Sequence, residues 1–133
     1  MENDILSFCE KIIPYINELK DDNSYQKLNE FISILIKEIR TNDIIYINNK
    51  WYQYNLLEKK WERFNFRLIL NQIRTFHEFF EEHLKNFLLN SDLNLTNKNF
   101  LLNINQKIIN FIKNNNYNER TIQSKCSKLF SVK

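Results

Sequence analysis

The run IIYINNKWYQY, Ile44 to Tyr54, decides how the rest of the chain is read. On both sides of it, apolar residues recur at three- and four-residue steps, the spacing of one helix face. Inside it that period is lost, and β-branched and aromatic residues follow one another. Asn48-Asn49 sits at its middle, and Asn tolerates the left-handed dihedrals of a tight primed turn. The run therefore reads as a β-hairpin over about 43–55. With Asn48-Asn49 as the loop, Tyr46 faces Trp51 and Ile45 faces Tyr52. Such cross-strand pairs contribute roughly 0.2–1 kcal/mol each. A third short strand is expected at Lys60-Trp61-Glu62-Arg63-Phe64. A two-stranded ribbon is marginal by itself, so this region has to lay one face on helices.

Before the hairpin, residues 2–20 read as a helix with a stripe of Ile5, Phe8, Cys9, Ile12, Ile13, Ile16 and Leu19. Pro14 lies inside it and is expected to kink or divide it, because proline lacks the backbone donor and crowds the preceding turn. Asp21-Asp22-Asn23-Ser24 offers caps for a second helix at 24–40, and the two should form an αα-hairpin. After the hairpin, residues 65–89 read as one long central helix with Asn65 as its N-cap. A further helix is expected at about 97–114, broken by Asn114-Asn115-Asn116, where Asn replaces glycine in a left-handed cap. A last helix opens at Tyr117 or Asn118 and carries Ile122, Cys126, Leu129 and Phe130. The expected fold class is mainly α: a bundle of four or five helices with a small β-hairpin insertion. It forms a single domain, 1–133, with a helix pair at 1–40, the β-hairpin region at 43–64, the central helix at 65–89 and a C-terminal helix pair at 97–131.

Composition supports one modest core: the chain has 133 residues, 43% of them hydrophobic. Glycine and alanine are both absent. With no glycine there is no Gly-rich phosphate loop. Formal net charge is +3, too little to identify a nucleic-acid partner. Its distribution says more: residues 1–40 carry net −3, residues 41–90 net +1 and residues 91–133 net +5. Met1–Asp4 is acidic and polar, unlike a secretory leader. No apolar run approaches about 20 residues, so no membrane span and no membrane partner are expected. The two cysteines, Cys9 and Cys126, lie in apolar stripes and read as buried free thiols, which fits a cytoplasmic setting.

No set of residues has the spacing of a catalytic centre, so no enzymatic activity, catalytic residue, metal site or cofactor is expected. His77 and His83 are six residues apart, without the four-residue spacing that puts two zinc ligands on one helix face. Neighbouring Glu78, Glu81 and Glu82 read as a solvated acidic patch. The aromatic hairpin is more distinctive. Trp51, Tyr52, Tyr54 and Trp61 are interleaved with Lys50, Lys59, Lys60, Arg63 and Arg67. Aromatics stack on unpaired bases and basic side chains neutralise phosphates, so these residues are nucleic-acid-binding candidates. A glycine-free hairpin laid on helices also needs large aromatics at the contact, and packing is the expected duty of Trp51 and Trp61. The C-terminal pair, 103–113 and 118–128, has helix-turn-helix spacing and adds Arg120, Lys125 and Lys128 as candidates.

The segment IIYINNKWYQYNLLEKKW, Ile44 to Trp61, is followed by FNFRLILNQIRTFHEFF. This order resembles the helical linker upstream of the superfamily 3 helicase in primase–helicases of poxviruses, giant viruses, phages and related plasmids. The stretch from Phe100 to Phe130 resembles that region's closing helices. The resemblance covers about residues 40–130 and rests on aromatic and hydrophobic positions. It implies a non-catalytic accessory or linker domain of a DNA replication primase–helicase. That domain joins the primase to the ATP-driven motor and contacts DNA or neighbouring domains; the Trp51/Trp61 hairpin with its basic neighbours and the net +5 C-terminal third add the expectation of weak, non-specific binding to single-stranded or forked DNA. Its implied partners are replication proteins, at a viral replication site if the chain is viral. The primase carboxylates and the helicase phosphate loop have no counterpart here. The alternative is a protein–protein interaction module, an inhibitor or adaptor, with no DNA role.

Overall fold

In the computed structural model Asn48 and Asn49 hold φ of 52° and 62°, the paired left-handed conformation that a type I′ turn requires. The structure describes residues 2–132; Met1 and Lys133, the ends of the expected domain, lie outside the described residues. The Asn-Asn turn joins β1 (Ile44–Ile47) to β2 (Lys50–Asn55), with Tyr46 opposite Trp51 and Ile45 opposite Tyr52. β3 (Lys60–Arg63) continues the antiparallel order β1-β2-β3, so the insertion is a three-stranded meander. Residues 130–132 run along β1: Tyr46 donates to the Phe130 carbonyl at 3.0 Å, and Val132 donates to the Tyr46 carbonyl at 3.2 Å. That covers part of the β1 edge and leaves β3 as the other edge.

Helices account for 64% of the described residues, in five helical stretches. α1 (Glu2–Glu18) runs straight through Pro14 as one helix, so the proline does not divide it. α2 (Tyr25–Arg40) opens on Ser24, whose hydroxyl accepts from the Lys27 amide. α1 touches α2, but α2 packs most extensively on the last helix, so the first two helices do not form the self-contained pair that their short connection implied.

The expected central helix at 65–89 is interrupted twice. α3 (Arg67–Leu70) gives way to a turn at Asn71-Gln72; α4 (Ile73–Phe79) then passes into a π-helical turn, Phe80–Leu84, before α5 (Lys85–Leu89). The N-cap position of α3 is Phe66, without a side-chain cap bond, and not Asn65 as expected; Asn65 precedes it, and its side chain accepts from the Arg67 amide at 3.0 Å. The π turn has a reason in the sequence. Phe76, Phe80, Leu84 and Leu88 are spaced by four, and each such step overshoots an ideal α-turn by about 40°. One wider turn rotates the stripe back, so Phe80, Leu84 and Leu88 are all buried. Asn105, buried on the neighbouring helix, donates to the Phe80 carbonyl at 3.2 Å and braces the turn.

α6 (Leu95–Lys113) starts at Asn94, whose side chain accepts from the Asn97 amide at 2.8 Å. It ends where Asn115 takes φ of 56° and the Asn116 amide reaches the Phe111 carbonyl at 3.0 Å. That is a Schellman closure with Asn in the usual glycine place. α7 (Glu119–Leu129) is capped by Asn118, and the Asn118 amide also donates to the Asn29 side chain on α2 at 2.8 Å. α7 lies on α2, whereas α6 packs mainly on α4, with further contact to α5, α1 and the π turn. The two C-terminal helices therefore take different partners and do not make the compact pair of a helix-turn-helix. Ile39 of α2 and Phe100 of α6 are exposed although both are apolar.

Trp51 ties the sheet to the helices. Its ring lies 4.5 Å from Phe66, 4.7 Å from Tyr46 and 6.0 Å from Phe130, centroid to centroid. With Ile44 it forms the inner face of the sheet, continuous with the helical core.

Candidate nucleic-acid interface

Burying Trp51 fixes what the opposite face of the sheet presents, because side chains alternate along a strand. Tyr52 stands opposite Arg63 and Tyr54 opposite Trp61. Ile45 and Ile47 on β1 and Lys50 on β2 have the same parity. The outer face thus carries three aromatic rings and two aliphatic side chains, with Lys50 and Arg63 among them. Trp61 is 43% exposed, against 7% for Trp51. The Tyr54 and Trp61 rings meet edge to face at 5.3 Å, which holds both upright on an open surface.

Trp51, a sequence candidate for stacking, is a core residue and is withdrawn from the site. Trp61, expected to pack inward, is the exposed ring. Lys50, Arg63 and Asn65 line a depression of about 480 Å³ together with Asn49 of the turn, the inward-facing Trp51 and Phe66, and Gln123 of α7. Lys59 and Lys60 stand at the β2–β3 tip, where the Lys60 ammonium lies 3.0 Å from Glu58. Arg67 is exposed and lies 3.9 Å from Glu119 at the start of α7. Arg120, Lys125 and Lys128 form a separate group with Gln26 and Glu30, along the α2–α7 seam. Apart from Arg67 on α3, the exposed candidates fall into two clusters: one on the sheet and its tip, the other on α7. An edge strand also carries charge to discourage strand addition, which is a structural duty open to Lys60 and Arg63.

Tyr52 and Tyr54 stand in the aromatic–basic run read from the sequence, but that reading did not assign which of its rings face outward. Their alternation with Trp51 was the available signal: once Trp51 is placed inward, both tyrosines point out. Pairing Tyr54 with Trp61 needed the β2–β3 register, and the connecting loop hid it. Lys59 takes φ of 55° there, a place where glycine or asparagine would have given a sequence cue.

No matching protein family, curated protein or solved structure is found for this chain.

The remaining chemistry is sparse. Among the described residues, no three His, Cys, Asp or Glu side chains come together as a metal-binding group. His83 lies 4.0 Å from the exposed Glu82 carboxylate. Both cysteines are free and buried. Burial, with Glu10 nearby, pushes the Cys9 thiol up to about 11. Burial pushes the Cys126 thiol up to about 12, against the opposing effect of its contact with Ser33. Neither is a thiolate nucleophile at neutral pH. No helix among the described residues is long and apolar enough to cross a membrane.

Proposed function

We propose that this chain is a non-catalytic domain that holds single-stranded DNA on the outer face of its β-sheet, as an accessory or linker domain of a replication primase–helicase. The observation that carries this reading is the exposed Tyr54–Trp61 pair, with Tyr52 opposite Arg63 and with Lys50 on the same face. Aromatic rings receive unpaired bases of any sequence, and the flanking cations take the phosphates. The likeness of Ile44–Trp61 and Phe100–Phe130 to the primase–helicase linker supports the replication setting.

The test is a fluorescence-anisotropy titration of the purified chain with a labelled single-stranded oligonucleotide at low and moderate salt. Stacking is worth about 1–3 kcal/mol per base, so Trp61→Ala should lower affinity by roughly five- to a hundredfold. No binding by the parent chain, even at low salt, would end the reading. The protein-interaction alternative has one observation of its own: an open apolar groove of about 300 Å³ between Phe8, Leu35, Ile39, Phe76 and Phe79. Co-purification of a partner through that groove, without DNA affinity, would favour it.

A further inference from the structure

The β2–β3 connection is four residues, Leu56-Leu57-Glu58-Lys59, and its apex is apolar. Leu56 is 79% exposed and Leu57 is 96% exposed. The loop is nonetheless pinned. The Asn55 side-chain oxygen accepts from the Leu57 amide at 3.0 Å and from the Glu58 amide at 3.1 Å, and its side-chain nitrogen donates to Glu62 at 3.1 Å. Glu58 is held by Lys60, and Lys59 completes the reversal in the left-handed region. The leucines are thus displayed by an ordered loop with lysines beside them.

The position of this tip gives it a use. The Asn55–Lys60 pair is next to the tip, and the exposed Tyr54–Trp61 pair comes immediately behind it. Leu57 is three residues on from Tyr54, across the turn that opens at Leu56. A strand lying on the aromatic face therefore leads to the two leucines. At the point where a duplex opens, the last base pair exposes a flat apolar surface that water covers poorly. Apolar side chains wedge against such base steps elsewhere in nucleic-acid recognition, and Lys59 and Lys60 match the phosphates on either side.

We propose that the Leu56-Leu57 tip is a wedge that seats on the terminal base pair of a DNA fork while the separated strand runs over Tyr54 and Trp61. This rests on the single-strand reading above. The tip supplies preference for a junction, and the sheet face supplies affinity for the strand. The two contributions are separable.

The experiment compares the full chain with the Leu56→Ser/Leu57→Ser variant. Both leucines are exposed, so the variant should keep the parent circular-dichroism spectrum. Affinities for a fork and for its matched single strand are measured by anisotropy at low salt. A 2-aminopurine at the last paired position reports unstacking. The parent should prefer the fork by roughly tenfold, equivalent to about 1.4 kcal/mol, and should raise the 2-aminopurine signal. The variant should lose that preference and that signal while binding the single strand as before. Unchanged fork preference in the variant, or equal parent affinity for fork and single strand, would overturn the wedge and leave the strand-binding face standing. Absence of all DNA binding would overturn both. Sedimentation with phosphatidylserine-containing vesicles is the control. Tip-dependent vesicle binding without tip-dependent fork preference would make the loop a lipid contact and overturn the proposal.

Discussion

Trp51 and Trp61 are ten residues apart and have opposite environments. Trp51 has its ring among Tyr46, Phe66 and Phe130, so Trp51→Ala should destabilise the chain by about 3–5 kcal/mol. Trp61 is backed only by Tyr54 among the close ring pairs, so Trp61→Ala should change stability by no more than about 1 kcal/mol while weakening single-strand binding. Urea titrations of the two variants give the comparison, and equal losses would contradict the inward and outward assignment. The cysteines give a pH prediction. Both folded pKa values are raised from 9.0, to about 11 and about 12. Above about pH 9 the unfolded chain releases these protons while the folded chain keeps them, so stability falls as pH rises. It should be constant, as far as these thiols act, below about pH 9, and decline through pH 11–12. Cys9→Ser/Cys126→Ser should flatten that decline despite lower stability at neutral pH, as read by chemical denaturation at pH 7 and pH 10.

At the scale of elements, α1 passes through Pro14 with the proline ring at the surface. The helix gives up the hydrogen bond that residue 14 would donate, and packing of Ile12 and Ile16 compensates, since both are fully buried. Alanine is about 3 kcal/mol better than proline inside a helix, offset by about 1 kcal/mol for a looser unfolded chain. Pro14→Ala should therefore raise stability by about 2 kcal/mol, measured by urea denaturation. A loss would mean that α1 needs a local bend to meet its neighbours. The π turn makes the complementary point. A buried asparagine braces it from another helix, so that irregularity is held by tertiary contact.

Across the whole molecule, the basic candidates read from the sequence on the sheet and on α7 form two separate groups. The sheet group holds Lys50, Arg63, Lys59 and Lys60; the α7 group holds Arg120, Lys125 and Lys128. If the sheet carries the strand, Lys50→Glu/Arg63→Glu should weaken binding on every sequence, and reversing the α7 group should weaken it less. With three to five phosphates engaged, the logarithm of affinity should fall with the logarithm of salt at a slope of about −2 to −3.5. The double reversal should make that slope shallower by about one to two units. Anisotropy at several salt concentrations measures both. Equal sensitivity to the two groups would place the strand along α7 as well.

The sequence by itself determined the helical class, the Asn48-Asn49 turn and the β1–β2 register, because each depends on near neighbours. Alternation, helical period and the left-handed tolerance of Asn act within a few residues. The cap at Asn118 and the asparagine closure of α6 have the same local origin, whereas α6 opens at Asn94, two residues before the expected start. The break at Asn71-Gln72 escaped that reading because nothing there resembles a helix stop. The π turn was half visible, in apolar residues spaced by four, but choosing it over a continuous helix required Asn105 from α6. Only the tertiary structure decided which tryptophan is buried. Both have similar neighbours in the chain, and the choice depends on which sheet face meets Phe66 and Phe130. The candidate site has the same origin. Its aromatic ladder exists because Trp51 was taken into the core, which turned Tyr52, Tyr54 and Trp61 outward together.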